Sequence, residues 1–373
     1  MATETETLPP TQLITDHTLT FPDLPPFPTN IPTAPLHRLS LSALRTSPVE
    51  STRLFSASKD LGFFYLDLRD DVLGERLLRE GDALFAIGEK LYELGREELQ
   101  QYDYKHLGSY MGYKGYGSAV VDEKGNLDRN EFYNMPKDDF LGLSQTPLAH
   151  PPLLYEHGDS IRAYMHDAHK LVLLILTHLN THLGLPPDTL ASLHRQTAKS
   201  GDQVRIVKSP PQPASDMRTA LGKHTDYGSI TILFNRLGGL QILPPPSLVP
   251  AGQEPQWTYV KPLRGHCIVN LGDAMVKFTN GLLKSNIHRV ISPPGEQARE
   301  TRYSLVYFAR PEDEVVLKRL EGSEVIPPLE EGVAEEQISS KKWIEWKALR
   351  LRKVEQLSEV ERKKLWDESG LGI

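Results

Sequence analysis

The sequence predicts a mixed α+β fold, with helices in its first half, a β-sandwich or barrel of short strands in its second, and a helical end. Three observations carry this expectation. An apolar stripe at helical spacing runs through residues 159–183. Beyond residue 200, short strand-like runs follow one another, punctuated by Gly and Pro. From about Glu330 onward, Trp343, Trp346, Leu349 and Val354 return to helical spacing, where core packing is the expected role of the tryptophans.

From the N-terminus, residues 1–34 are crowded with Pro and Thr and lack either period, which predicts an extended or disordered arm. Residues 48–58 and 72–99 carry apolar side chains three and four apart and predict helices. Between them, Leu61-Gly-Phe-Phe-Tyr-Leu66 suits a buried strand. Residues 106–135 are rich in Gly, Tyr and Asp and predict a long irregular segment, a feature that compact domains tend to use functionally. The 159–183 stripe comprises Ile161, Tyr164, Met165, Ala168, Leu171, Val172, Ile175 and Leu179; Gly184 and Pro186 supply the stop, and Asp159 the N-cap. The strand-like runs are 204–207, 229–234, 240–243, 258–260, 266–270 and 301–308, and Asn280-Gly281 is a hairpin signal. Four regions result: an arm (1–34), a helical region with the long helix (35–199), a strand-rich core (200–315) and a C-terminal helical extension (316–373).

Composition narrows the function classes. Of 373 residues, 39% are hydrophobic and 24% charged, an ordinary globular balance with ample material for a core. A net charge of -7 argues against nucleic acid as a partner, because phosphate binding wants an excess of Lys and Arg. The single cysteine, Cys267, beside Ile268 and Val269, suits a small buried hydrophobe; no intrachain disulfide can form. The opening MATETETLPPTQ lacks the basic and apolar parts of a secretory signal, and the run 171–176 is too short to span a bilayer. A cytoplasmic protein without a membrane partner is expected. Nothing in the sequence indicates an oligomeric state.

His224-Thr-Asp226 lies just before a strand, and residues two apart on an extended segment point to one side, so imidazole and carboxylate can grip one ion. His288, in the strand-like run 286–291, supplies a third ligand. Two histidines and one carboxylate, with three positions open on one side, are the donor set of oxygen-activating Fe(II) sites. Among 13 histidines such a triplet can arise by chance, and His157-Gly-Asp159 is a second one. Its Asp is accounted for as a helix cap, which leaves the 224–226 pair. Further along, Arg302 and Ser304 share a strand face that continues through Val306 to Phe308. An Arg inside a barrel needs an acidic partner, and the neighbouring strand segments offer no obvious one. A ligand carboxylate, held as a fork by the guanidinium with a further bond from the Ser304 hydroxyl, is the economical partner; an internal salt bridge is the alternative.

Taken in order, these motifs resemble the 2-oxoglutarate/Fe(II)-dependent dioxygenases of the isopenicillin N synthase-like family. The resemblance covers residues 35–308 and includes Leu61-Gly-Phe-Phe-Tyr-Leu66, His224-Thr-Asp226-Tyr-Gly-Ser, Gly239-Leu-Gln-Ile242, Asn270-Leu-Gly-Asp273, Thr279-Asn-Gly281, Ser285-Asn-Ile-His288-Arg-Val and Arg302-Tyr-Ser304. It implies a double-stranded β-helix (jelly-roll) core with a helical N-terminal region and a C-terminal helix. It further implies Fe(II) on His224, Asp226 and His288, 2-oxoglutarate held by Arg302 and Ser304, and O2 as second cosubstrate. Asn270, Gly272, Asp273, Asn280 and Gly281 match turn-forming positions and are expected to be structural.

Two departures stand out. Where plant-type members carry Asn-x-Tyr-Pro, this chain has Val207-Lys-Ser-Pro210, so Ser209 is the candidate for that cosubstrate contact. The loop from His288 to Arg302, with Pro293-Pro-Gly295, is also longer. Phe308, Tyr113, Tyr116, Phe132 and Tyr133 are candidates to line the pocket for a small organic substrate. Similarity to fungal members implies an oxidation in secondary-metabolite biosynthesis, by hydroxylation, desaturation or radical rearrangement. The competing readings are an Fe(II) oxidase of the same fold that needs no 2-oxoglutarate, a non-catalytic ligand-binding member and a zinc hydrolase.

Overall fold

In the computed structural model, residues 19–212, 219–250, 252–335, 337–350, 358 and 360–361 are described. Their strands are β1 (His37–Ser40), β2 (Phe63–Asp67), β3 (Gly112–Lys114), β4 (Glu131–Pro136), β5 (Gln203–Ser209) and β6 (Leu221–His224), followed by β7 (Ile230–Asn235), β8 (Leu240–Ile242), β9 (Thr258–Tyr259), β10 (His266–Leu271), β11 (His288–Val290) and β12 (Arg302–Ala309). One sheet has eight strands in the order β1-β2-β10-β7-β12-β5-β4-β3; the other has four, β6-β11-β8-β9. Pairing is antiparallel throughout except β1 with β2. From β5 to β12 the chain passes back and forth between the sheets, the winding of a jelly roll.

The two-residue period of the strands sorts side chains between two cores. On the outer face of the large sheet, Tyr133, Met135, Val204, Ile206, Leu305 and Tyr307 pack against Leu77, Leu84 and Leu91 of the helix Val72–Glu93 and Ile161, Met165 and Val172 of the helix Gly158–His182. Each such aliphatic side chain, fully buried, contributes about 1.5–3 kcal/mol, so this layer fixes the sheet's curvature and position. The approach is close: a Cβ on Gly88 would lie 2.7 Å from Ile206 Cγ2. On the inner face, Phe63, Tyr65 and Ile268 meet Leu240, Ile242 and Val260 from the smaller sheet's side.

Several expectations are corrected. The region 35–199, expected to be helical, also supplies β1 to β4 of the large sheet. The segment taken as irregular contains β3 and most of β4, whose alternation is masked by Gly, Tyr and Asp. The helical stretch 72–99 is interrupted after Glu93, where Gly95 adopts φ +82 and turns the chain into the helix Gly95–Gln100. The N-cap of the long helix is His157; Asp159 lies in the first turn, fully exposed and paired with Arg162 at 2.5 Å. Asn280 and Gly281 do take left-handed φ values of 44 and 78, yet they close the helix Asp273–Phe278 by a Gly281 N–H bond to Val276 O (2.9 Å) instead of joining two strands.

The described part of the arm is not loose: the Ala34 N–H donates to Tyr259 O (2.8 Å), the Tyr259 N–H to Pro32 O (3.0 Å), and Leu19 is buried. Its first eighteen positions, and Val354 at the other end, lie outside the described residues. In the helix Ser340–Arg350, Trp343 packs on the core and its indole N–H donates to Tyr227 O (3.3 Å), whereas Trp346 is 48% exposed, contrary to its expected burial. Cys267 is buried, as expected, and burial pushes its thiol far above the usual range.

Candidate active site

His224 closes β6 and His288 opens β11, and the two are direct cross-strand partners with ring centroids 4.2 Å apart. Asp226 follows in the turn after β6. Each imidazole donates from Nδ1 to a carbonyl two residues back: His224 to Gly222 O (2.8 Å) and His288 to Asn286 O (3.1 Å). Because a carbonyl can only accept, these bonds place the proton on Nδ1 and leave both Nε2 lone pairs facing the site. Asp226 divides its oxygens similarly. Oδ2 accepts from Thr231 Oγ1 and Asn270 Nδ2, both at 2.6 Å, while Oδ1 lies 4.0 Å from His224 Nε2 and 3.8 Å from His288 Nε2.

Those two separations are too long for hydrogen bonds, so the three side chains face one another without bonding. All three potential ligand atoms lie within 4.8 Å of one another. Two imidazole nitrogens and one carboxylate oxygen, each oriented by a bond through its other heteroatom, are the donor chemistry Fe(II) takes in facial sites. The residues fit that ion. Burial, reinforced by the neighbouring His288, pulls His224 down to about 4, so its imidazole is neutral at physiological pH. Burial alone would raise the Asp226 carboxyl; the two histidines and the bonds from Asn270 and Thr231 outweigh it and hold it below its ordinary value.

Thr231 and Asn270 were not read from the sequence as parts of the site, and Asn270 was expected to form a turn. The structure corrects this: the two are cross-strand partners on β7 and β10, both facing inward. Their signal was a polar residue at a position whose strand period demands an apolar one. Gly272 and Asp273 do serve the backbone, donating to Ser229 O (3.0 Å) and Asp226 O (2.8 Å). Phe63 sets its ring against His288, 5.3 Å between centroids. His157 and Asp159 are on the long helix, apart from this cluster.

Arg302 and Ser304 face into the same barrel from β12. Arg302 is 2% exposed; its Nε donates to Gly238 O (2.7 Å) and Nη1 to Ser304 Oγ (2.5 Å). Gly239, at φ +107, lets the chain turn tightly beside this guanidinium. No carboxylate among the described residues pairs with Arg302, and burial pulls its pKa down to about 10. Ser209 lies directly across from Arg302 on β5 and is buried. A charge kept out of water without a counter-charge is costly by several kcal/mol, a cost that a bound anion would offset.

Of the pocket candidates, Phe308 shares the inward face of Arg302, and Phe132 lies opposite Val207 on that face. The Arg205 guanidinium, which sequence reasoning missed, sits over both rings, 4.0 Å from the Phe132 centroid and 4.9 Å from that of Phe308. Tyr113 and Tyr133 are corrected. They pair with each other on the opposite face, wholly buried beneath the helices, with the Tyr113 hydroxyl on Glu131 (2.6 Å) and that of Tyr133 on His150 (2.9 Å). A single step along β4 separates Phe132 from Tyr133 and sends them to different cores. Tyr116 is half-buried in the loop after β3.

Comparison with known proteins agrees with this geometry. Residues 200–311 match the 2OG-Fe(II) oxygenase superfamily. A 2-oxoglutarate-dependent dioxygenase of Aspergillus fumigatus is 34% identical over 327 residues, covering 83% of this chain and 84% of that protein. The 2-oxoglutarate-dependent dioxygenase gloE of Glarea lozoyensis is 32% identical, covering 77% of this chain and 83% of its own length. Among solved structures, Neurospora crassa T7H in complex with alpha-KG superposes with a TM-score of 0.69 at 20% identity, covering 84% of this chain and 95% of that one, which supports the jelly-roll assignment. With a donor set suited to Fe(II), a buried guanidinium in the same barrel and relatives of this closeness, the chain belongs to the 2-oxoglutarate/Fe(II)-dependent oxygenases.

Proposed function

We propose that His224, Asp226 and His288 hold the iron, that Arg302, Ser304 and Ser209 hold the distal carboxylate of 2-oxoglutarate, and that the enzyme oxidises a small organic molecule in secondary metabolism. The observation that carries the reading is Arg302: a buried guanidinium without a carboxylate among the described residues, facing into the barrel that holds the triad. A dicarboxylate spanning the two ends meets a metal with its oxo-acid head and a cation with its tail.

Bound iron supplies activation of O2, driven by oxidative decarboxylation of 2-oxoglutarate to succinate and CO2. The protein's own residues do the rest. Thr231 and Asn270 keep Asp226 Oδ2 occupied, so that Oδ1 alone is presented. The Gly222 and Asn286 carbonyls hold both imidazoles in the ligating tautomer. Phe132, Phe308 and the Arg205 guanidinium stacked on them wall the substrate side. Small organic ligands in the Neurospora crassa T7H complex with thymine and in the JOX2 complex with JA support a substrate of that size. Among the described residues no helix is long and apolar enough to cross a membrane.

Succinate formation and O2 uptake by anaerobically iron-loaded protein, measured against a panel of small organic molecules, test the proposal. Both should require 2-oxoglutarate. O2 uptake with substrate oxidation but no 2-oxoglutarate requirement would instead show an oxidase.

A further inference from the structure

Asn235 is the last residue of β7 and the direct cross-strand partner of Ser304, so its side chain shares the inward face of Ser304 and Arg302. Directly opposite residues in an antiparallel pair have Cβ atoms about 4.5–5.5 Å apart, which puts the amide within reach of anything the Ser304 hydroxyl touches. The side chain is buried, at 7% exposure, and its Nδ2 has no hydrogen-bond partner. The contrast with Asn270 is informative. That amide, one strand over on the same face, spends its Nδ2 on Asp226 at 2.6 Å. A buried donor left unmet costs about 1–3 kcal/mol, and an apolar residue at the end of β7 would avoid that cost.

The surroundings say what the donor awaits. Arg302 lies on one side of Ser304, Ser209 lies across from Arg302, and Asn235 lies across from Ser304. Arg302 Nε and Nη1 are engaged by Gly238 O and Ser304 Oγ, which fixes the guanidinium plane. Every one of these side chains can donate, and none carries a negative charge. We infer that Asn235 is a fourth member of the carboxylate socket and donates from Nδ2 to the same carboxylate that Arg302 binds. Arg302 supplies charge, and Asn235 and the two hydroxyls supply direction, which selects a planar carboxylate at a set distance from the metal. The inference rests on the proposal that this end takes the distal carboxylate of 2-oxoglutarate.

The test separates the two. Iron-loaded wild-type, Asn235→Ala and Asn235→Asp proteins are titrated calorimetrically under argon with 2-oxoglutarate and with 2-oxovalerate, an oxo acid of equal length ending in a methyl group. Loss of a hydrogen bond to a charged group predicts about tenfold or weaker binding of 2-oxoglutarate to Asn235→Ala. Asn235→Asp, isosteric but anionic, should weaken it further. Binding of 2-oxovalerate should be unchanged in both variants, which shows that they fold and that the effect is read through the distal carboxylate. Equal weakening of both ligands, or no weakening of either, overturns the role of Asn235. A wild-type protein that binds the two oxo acids equally overturns the underlying reading of the Arg302 end.

Discussion

At the triad end of the barrel, each ligand residue has one heteroatom tied to the protein and another aimed at a common point. At the Arg302 end, a guanidinium and the Asn235 amide are buried, and no carboxylate among the described residues pairs with the guanidinium. On the proposed reading, the first end lacks a cation and the second an anion. The difference shows in what each would lose without its ligand. Without a ligand, Asp226 is a buried carboxylate tied to Thr231 and Asn270 beside two imidazoles, whereas Arg302 is a buried guanidinium bonded only to neutral groups, Gly238 O and Ser304 Oγ. A molecule carrying a metal-binding head and a carboxylate tail satisfies both ends at once.

The largest effect should come from breaking the triad. Asp226→Ala is expected to retain no stoichiometric iron and to form no succinate, as read by metal analysis after anaerobic loading. Unchanged turnover would remove the triad end from the account. Asn270→Ala leaves all three ligands in place but frees Asp226 Oδ2; loss of such a supporting bond weakens metal binding by about 10–100-fold, with 2-oxoglutarate affinity at saturating iron little altered. An effect on 2-oxoglutarate alone would mean that Asn270 serves the other end.

Smaller effects should separate the two faces of β4. Tyr133→Phe, beneath the helices, should lower stability by about 1 kcal/mol through loss of its bond to His150 and leave succinate formation intact. Phe132→Ala, on the inner face, should loosen the coupling of succinate formation to substrate oxidation. The smallest effect concerns Glu80 on the helix Val72–Glu93. Burial, followed by the nearby Asp167, raises its carboxyl to about 7, above the unfolded value. The folded state therefore binds the extra proton, and its stability falls as pH rises from about 4.5 through 7. Glu80→Gln should raise Tm at pH 8 and change it little at pH 4.

Much of this was legible in the sequence, for identifiable reasons. The triad and the Arg302–Ser304 pair were visible because strand alternation puts residues two apart on one face, and because a charge at a barrel position demands a partner. The long helix was visible as a continuous apolar stripe. What escaped depended on partners far along the chain. Asn270 and Thr231 meet Asp226 only through strand pairing, and the N-terminal strands join the large sheet only through β2 beside β10 and β4 beside β5. Tyr133 could not be told from Phe132 without the register of β4, since a one-residue step exchanges the two cores. The Asn280-Gly281 pair was read as a hairpin signal and instead closes a helix, because helix C-termini use the same left-handed backbone.

The central claim, that one end of the barrel awaits a cation and the other a carboxylate, is tested most directly by Arg302→Leu. Anaerobic titration of this variant should show iron bound as in the wild type and 2-oxoglutarate bound about 100-fold more weakly, through loss of a charge-assisted bidentate contact. The metal-free variant should melt no lower than the wild type, since a buried charge without a counter-ion has been removed. Unchanged 2-oxoglutarate affinity in a folded, iron-loaded Arg302→Leu protein would contradict the account.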